Sequence, residues 1–249
     1  MDERYERERQ FHDKAFSEST RQGVAGFYAV ADNSFASYRN AVTAIGAGRD
    51  VLEYGCGQGT SAFLLAKHGA RVTAIDISEV AIRQARDRAR ADDLKTVDFR
   101  VMNAEKLEFE PASFDLVCGV AILHHLDLPA ALSEIRRTLR PSGTAVFLET
   151  LGHNPLINLY RRATPQLRTP DEHPLLVREL EAAKSSFQNV ELRFFNLSSL
   201  AAVPFRSLRL FAPLRNMLHA FDSALFATMP ITRRYAWQVL IVLSQPRDS

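Results

Sequence analysis

The central part of the chain alternates short β-rich runs with amphipathic stretches. Asp50–Tyr54 (DVLEY) has the length and composition of a strand, and Thr60–His68 after it reads as a helix with Thr60 as its cap. Arg71–Ile77 (RVTAIDI) is a second strand. Ser78 is placed to cap the next helix, whose apolar positions Val80, Ala81, Ile82, Ala85 and Ala89 share one face with arginines opposite. Val97–Met102 and Phe114–Val120 (FDLVCGV) are the third and fourth strands. Pro129–Leu139 reads as a helix ended by a Pro141-Ser142-Gly143 turn, and Thr144–Thr150 (TAVFLET) as a fifth strand. Val190–Asn196 and Tyr235–Leu243 complete a set of seven.

Strand and helix in strict succession predict an α/β fold: a doubly wound, mostly parallel seven-stranded sheet with helices on both faces. Residues before about 45 look helical and carry Tyr5, Phe11, Phe16, Phe27, Tyr28, Phe35 and Tyr38. The expected organisation is an N-terminal helical cover over 1–45 and a catalytic domain over 46–249, with a helical lid or insertion at about 151–234 before the last strand. Ligands of such sheets sit outside the carboxyl ends of the strands at the switch point. The chemistry is therefore expected just after Tyr54, Ile77, Met102, Val120 and Thr150.

Composition narrows the classes. The 249 residues are 46% hydrophobic and 24% charged, an ordinary globular balance. A net charge of +2 gives no reason to expect a nucleic-acid partner. Two cysteines, Cys56 and Cys118, both in runs that read as buried, suggest neither disulfides nor a metal knuckle, so a cytoplasmic location is the expectation. The charged N-terminus lacks the apolar core of a secretory signal, and the apolar run Val239–Leu243 is too short to span a bilayer.

The strongest chemical signal is Glu53-Tyr54-Gly55-Cys56-Gly57-Gln58-Gly59, which leaves a strand and opens a helix. Glycines at alternate positions permit a tight turn and a close backbone approach to a ligand. The helix start beyond them offers unpaired N–H groups. Asp76 ends the next strand at the spacing of an acid that accepts from ribose hydroxyls; the competing reading is that it only caps the following helix. The spacing is G-x-G-x-G, whereas dinucleotide binders use G-x-G-x-x-G.

VLEYGCGQG, then VTAIDIS, then the LRPSG turn before a strand, resembles the class I, Rossmann-like S-adenosylmethionine-dependent methyltransferases, over about Asp50–Thr150. The resemblance implies S-adenosylmethionine as cofactor and S-adenosylhomocysteine as product. It implies that Gly55, Cys56, Gly57 and Gly59 form the turn against the methionine part, with Glu53 beneath it. Asp76 would hold the ribose hydroxyls, Ile77 would pack on the adenine, and Asn103-Ala104 would lie beside the adenine amino group, where the family often has Asp-Ala. Val120, closing the fourth strand, would border the same crevice.

Branches of that family that act on nucleic acid or on protein arginine carry a proline-proline-aromatic motif, a Pro-Cys nucleophile or paired glutamates, and none of these occurs here. What remains resembles the bacterial group that methylates small molecules and lipids; Gly152-His153-Asn154-Pro155 and Thr169-Pro170-Asp171-Glu172-His173-Pro174 resemble a subset of it. The expected reaction is in-line transfer to a small, apolar or aromatic acceptor, with His124, His125 and His153 as candidate bases. His124 and His125 can equally serve only to order their loop. Asp171, Glu172 and His173 do not have a recognised ligand spacing, so no metal is expected. Residues 203–234 mix apolar side chains with Arg206, Arg209, Arg215, Arg233 and Arg234 and are read as a lid, with a dimer face or membrane contact as the lesser readings. Two rivals stay open: a binding module that keeps the cofactor pocket but transfers nothing, and a nicotinamide-dependent oxidoreductase.

Overall fold

The structure, a computed structural model, describes residues 3–18, 25–169 and 171–247. Three helices precede the sheet: α1 (Glu3–Glu18), α2 (Ala25–Tyr28) and α3 (Asp32–Gly46). Then β1 (Asp50–Tyr54), α4 (Thr60–Lys67), β2 (Arg71–Asp76), α5 (Glu79–Ala91), β3 (Val97–Val101), β4 (Phe114–Val120), α6 (Leu128–Thr138) and β5 (Leu139–Thr150) alternate as expected. The remainder holds α7 (Pro155–Ala163), the one-turn helices α8 (Val177–Leu180) and α9 (Ala183–Ser186), β6 (Phe187–Phe195), α10 (Phe211–Thr228) and β7 (Gln238–Pro246).

The seven strands run in the order β3-β2-β1-β4-β5-β7-β6, parallel except for β7, which is antiparallel to both β5 and β6. The switch point falls between β1 and β4, whose register pairs Tyr54 with Gly119. Period-2 alternation sends neighbouring side chains to opposite faces. Val51, Leu116, Val146 and Leu240 join the layer that packs on Tyr38, Val42, Phe63 and Ile82. Leu52, Val117, Phe147 and Ile241 join the opposite layer with Leu132, Ile135 and Phe226.

Ser78 caps α5 as the sequence suggests, accepting from the Ala81 N–H at 3.1 Å. Three local expectations are corrected. The cap of α4 is Gly59, in the left-handed conformation at φ 84°, and Thr60 is already the first helical residue. The Pro141-Ser142-Gly143 turn is a bulge inside β5: pairing with β4 steps from Phe114–Leu139 directly to Leu116–Thr144. Finally, α10 packs on the 198–205 segment and on β6 and lines neither of the two large cavities at the sheet's carboxyl edge, so residues 203–234 do not roof them. Asp222 anchors α10 by accepting the N–H groups of Leu197 (2.9 Å), Ser198 (2.7 Å) and Ser199 (3.2 Å). Among the described residues, no helix is long and apolar enough to cross a membrane.

Gly59 is a tight spot. A Cβ there would sit 2.9 Å from the Phe99 ring and 3.1 Å from the Phe63 ring, on a backbone at φ +84°. Gly59→Ala is expected to destabilise the protein by about 1–3 kcal/mol, a fall in Tm of several degrees for a chain of this size. A thermal melt checks it; an unchanged Tm would mean that the turn relaxes freely.

Candidate active site

The carboxyl ends of β1 and β2 are tied together through backbone and one carboxylate. Cys56 N–H donates to Ile75 O (2.9 Å), and Gly57 N–H donates to Asp76 Oδ2 (2.8 Å). Asp76 Oδ1 accepts the Ser78 N–H (2.9 Å). Asp76 therefore fixes the glycine turn, and each of its oxygens keeps acceptor capacity beyond its one backbone donor. Gly55 (φ 59°) and Gly57 (φ 50°) both adopt the left-handed conformation that glycine tolerates.

Above this turn lies a cleft lined by Gly55, Gly57, Asp76, Ile77, Asn103 and Ala104 among others. Its apolar walls include Ile75, Met102, Ile122 and Leu126. Glu53, 4% exposed, lies behind the turn. Its Oε2 has no hydrogen-bond partner, and burial pushes its carboxyl up to about 8, against the pull of Ser61 and the Ala62 N–H. Glu53 does not line the cleft itself, but its orphan carboxyl beneath the turn suits a cationic amino group that would favour its ionised form; Asp76 fits a vicinal diol, and the apolar slot fits a flat heterocycle. The residues thus suit the amino-acid, ribose and adenine parts of S-adenosylmethionine. Not every expected residue faces the cleft. Gly59 packs on Phe99 and Phe63, and Cys56 and Val120 belong to the layer behind β1 and β4. Asn103 does line the cleft, and its Oδ1 accepts the Glu105 N–H at 2.9 Å, which uses one of the oxygen's two lone pairs.

The other wall of the cleft is α1, within the stretch read from the sequence as an N-terminal helical cover. Tyr5, Glu8, His12 and Phe16, spaced three or four apart, share the face that lines it. Phe11, Lys14, Ala15 and Glu18 line a second, larger cavity. Polar contacts to distant segments hold α1 down. Arg4 pairs with Glu105 at 2.5 Å, Arg7 with Asp171 at 2.9 Å, and Asp13 Oδ1 accepts from the Ser78 hydroxyl (2.5 Å). The Thr169 hydroxyl donates to Glu8 Oε1. Glu8 Oε2 lies 3.4 Å from His12 Nε2 and 3.3 Å from His125 Nδ1, close enough for charge coupling but misaligned for hydrogen bonding. Burial opposes ionisation of Glu8, but these histidines and the Thr169 hydroxyl outweigh it and hold the carboxyl well below its usual range.

His124 and His125 sit on the turn after β4, their ring centroids 4.3 Å apart. His124, 6% exposed, has Nδ1 at 2.7 Å from Glu149 Oε2. Glu149 Oε1 accepts the N–H groups of Ile122 (2.8 Å) and Leu123 (2.7 Å), so one carboxylate both shapes the turn and orients the ring. Both histidines line the larger cavity, and His125 lines the cleft as well. Sequence reading missed Glu149; an acid at the carboxyl end of the strand beside the histidine turn was its only signal. His153 lines neither cavity. Asp171, Glu172 and His173 turn to three different partners, Arg7, Arg168 and Glu179. Glu8, His12 and His125 do bring ligand-type atoms within 4.8 Å of one another, as do His124, His125 and Glu172.

Comparison with known proteins agrees with this geometry. Residues 52–147 match the methyltransferase domain family. The ubiquinone biosynthesis O-methyltransferase of Acinetobacter baylyi is 33% identical over 115 residues, 46% of this chain and 48% of that protein. The Pseudomonas aeruginosa protein of the same name is 36% identical over 115 residues, 46% of this chain and 49% of that protein. The chain thus matches about half the length of these curated relatives. Among solved structures, Haemonchus contortus phosphoethanolamine N-methyltransferase 2 in complex with S-adenosyl-L-methionine aligns with a TM-score of 0.69 at 20% identity, over 96% of this chain and 60% of that one. A geranyl diphosphate C-methyltransferase from Streptomyces coelicolor aligns with a TM-score of 0.61 at 15% identity, over 91% of this chain and 85% of that one. The fold is that of the class I, Rossmann-like S-adenosylmethionine-dependent methyltransferases. Residues 52–147, within that fold, carry the similarity to the methyltransferase domain family.

The raised Glu53 carboxyl has a measurable consequence. Between the ordinary glutamate range and about 8, the folded protein keeps a proton that the unfolded chain has released. Stability of the ligand-free protein should therefore fall as pH rises from about 5 to 8. Glu53→Gln is expected to flatten that slope in denaturant unfolding across this range. The same slope in the variant would place the titrating group elsewhere.

Proposed function

We propose that the protein transfers a methyl group from S-adenosylmethionine, held in the cleft under α1, to a hydroxyl of a small, largely aromatic acceptor in the larger cavity. The observation that carries this reading is the shared wall. His125 borders both spaces, and beside it His124 faces the acceptor side with Nδ1 engaged by Glu149. The O-methyltransferase names of the relatives matched over half the chain support oxygen as the methylated atom. Phe11, Phe27, Tyr28, Tyr160 and Trp237 in the cavity wall support an aromatic or apolar acceptor.

When bound, the donor supplies an activated sulfonium methyl. Glu53 and Asp76 hold the donor's amino group and ribose hydroxyls. Glu149 accepts the Nδ1 proton of His124 and so leaves Nε2 with its lone pair. His124 Nε2 takes the proton of the acceptor hydroxyl as the oxygen lone pair forms the new bond to the methyl carbon. The bound donor would give up its methyl at the carbon–sulfur bond, keep that electron pair on sulfur and leave as S-adenosylhomocysteine. α1 closes the cleft against water, so most of the rate comes from alignment at near-attack distance. The antiparallel β7 and the G-x-G-x-G turn set this sheet apart from the all-parallel dinucleotide-binding arrangement, which disfavours the oxidoreductase alternative.

Asp76→Ala should weaken S-adenosylhomocysteine binding by about two to four orders of magnitude, because two charge-assisted hydrogen bonds are lost. Calorimetry reads this directly, and unchanged affinity would contradict the role. His124→Ala should lower turnover by about 10²–10⁴-fold with donor affinity intact, measured with methyl-labelled donor on cell-extract small molecules. Full turnover in that variant would mean that no base is needed or that it lies elsewhere. Donor binding with no labelled product from the wild-type protein would favour a non-catalytic module.

A further inference from the structure

The wall of the larger cavity holds a cation without a counter-ion. Arg161, on the last turn of α7, lines this cavity together with Tyr160 and Arg168. Its guanidinium donates from Nη1 to Leu151 O (3.3 Å) and Asn158 Oδ1 (3.3 Å), and from Nη2 to Thr150 Oγ1 (3.2 Å). These three bonds fix the plane of the group against the end of β5. A guanidinium carries five N–H donors, so the Nε–H and one of the two Nη2–H groups are left. Two donors on one planar cation can receive two oxygens of a carboxylate.

Among the described residues, no carboxylate lies within ion-pair distance of Arg161. Its neighbour in the cavity wall is served differently: Arg168 pairs with Glu172 at 3.5 Å and donates to Thr164 O at 2.8 Å. Two acids, Glu18 and Glu172, line this cavity; Glu172 is already matched by Arg168, and neither is within ion-pair distance of Arg161. Desolvation lowers the pKa of Arg161 to about 10, and the more distant Glu172 offsets it only in part. A buried cation left in this condition is costly unless something completes it. In the same wall the Phe27 and Tyr160 rings meet at a tilt with centroids 4.7 Å apart, and Tyr28 lies 5.5 Å from Trp237, so an aromatic patch shares the cavity with Arg161.

Resting on the acceptor-site reading above, we infer that this cavity takes an acceptor bearing a carboxylate, docked on the remaining Nε and Nη2 donors of Arg161 with its aromatic or hydrocarbon body along the Phe27, Tyr28, Tyr160 and Trp237 wall. The two donors left on a single guanidinium match a monoanion rather than a dianion. The carboxylate sets the acceptor's orientation: with one end clamped at the foot of α7, the reacting hydroxyl is carried toward His124. Arg161 is then a specificity residue and takes no part in proton transfer.

Trp237 is the protein's single tryptophan and lines this cavity, so its fluorescence reports occupancy without any methyl transfer. The full-length protein would be titrated with 4-phenylbutyrate and with its neutral isostere 4-phenylbutyramide, each with and without saturating S-adenosylhomocysteine. The carboxylate is expected to bind about tenfold or more tightly than the amide, the scale of a charge-assisted fork against a neutral contact. Arg161→Gln should abolish that preference, and Arg161→Lys should keep part of it. Neither variant should change the affinity for S-adenosylhomocysteine. Equal binding of acid and amide to the wild-type protein would overturn the inference, as would a preserved preference in a folded Arg161→Gln variant. The wild-type comparison decides the matter even if Arg161→Gln does not fold. Failure of S-adenosylhomocysteine to bind would strike the methyltransferase reading, while the acid-to-amide ratio measured in its absence would still judge Arg161.

Discussion

The site depends on one hydrogen-bonded junction: the Asp76 carboxylate, at the end of β2, accepting the backbone N–H of Gly57 in the turn that follows β1. That turn requires left-handed backbone at Gly55 and again at Gly57. Such a conformation holds only if its surroundings over-determine it. Asp76 does so from one side, and its second oxygen starts α5 through Ser78. Ser78 in turn caps α5 and donates to Asp13 of α1. The floor of the cleft, the first turn of α5 and the seat of the covering helix are therefore one connected network. A change at Asp76 touches all three, which is why the residue is structural and ligand-facing at once.

A second carboxylate organises the other half of the site in the same manner. Glu149 closes β5, accepts two N–H groups from the turn after β4 and orients His124. The two acids stand on opposite sides of the switch point between β1 and β4. Between them α1 divides the space, one face toward the cleft and the other toward the larger cavity. The helix is mostly polar, and its buried residues are Glu8 and Ala15. Its placement rests on ion pairs and hydrogen bonds more than on apolar burial, in keeping with a cover that is held by specific partners.

Much of the sheet was legible because strand periodicity and turn chemistry are local. The spans of β1 and β4, the Ser78 cap and the alignment of Asp76 with the glycine turn followed from a few neighbouring residues each. What was not legible depends on distance. A helical N-terminal cover was expected, but which face of α1 meets each cavity depends on contacts such as Arg4 with Glu105 and Glu8 with Thr169, which lie 101 and 161 residues apart. The partnership of His124 with Glu149 spans 25 residues and two strands. The three glycines also looked equivalent in sequence, yet Gly55 and Gly57 face the cleft whereas Gly59 makes room for Phe99. Residues 203–234 have a lid's composition, but Asp222 and Phe226 fix α10 to β6 and to the 197–199 segment, away from both cavities. The LGHNP and RTPDEHP stretches carried no assignable role in isolation. In the fold they supply Thr169 and Asp171 to α1, and the His173 N–H to the carbonyl of His124.

The central claim is that the glycine turn and α1 together enclose the methyl donor. Hydrogen exchange of the wild-type protein with and without S-adenosylhomocysteine tests it most directly, because it reads both elements in one experiment. The account predicts slowed exchange at residues 55–59 and 76–78 and, in the same titration, along α1. Ligand binding that left residues 55–59 unprotected, or that protected a different edge of the sheet, would contradict it.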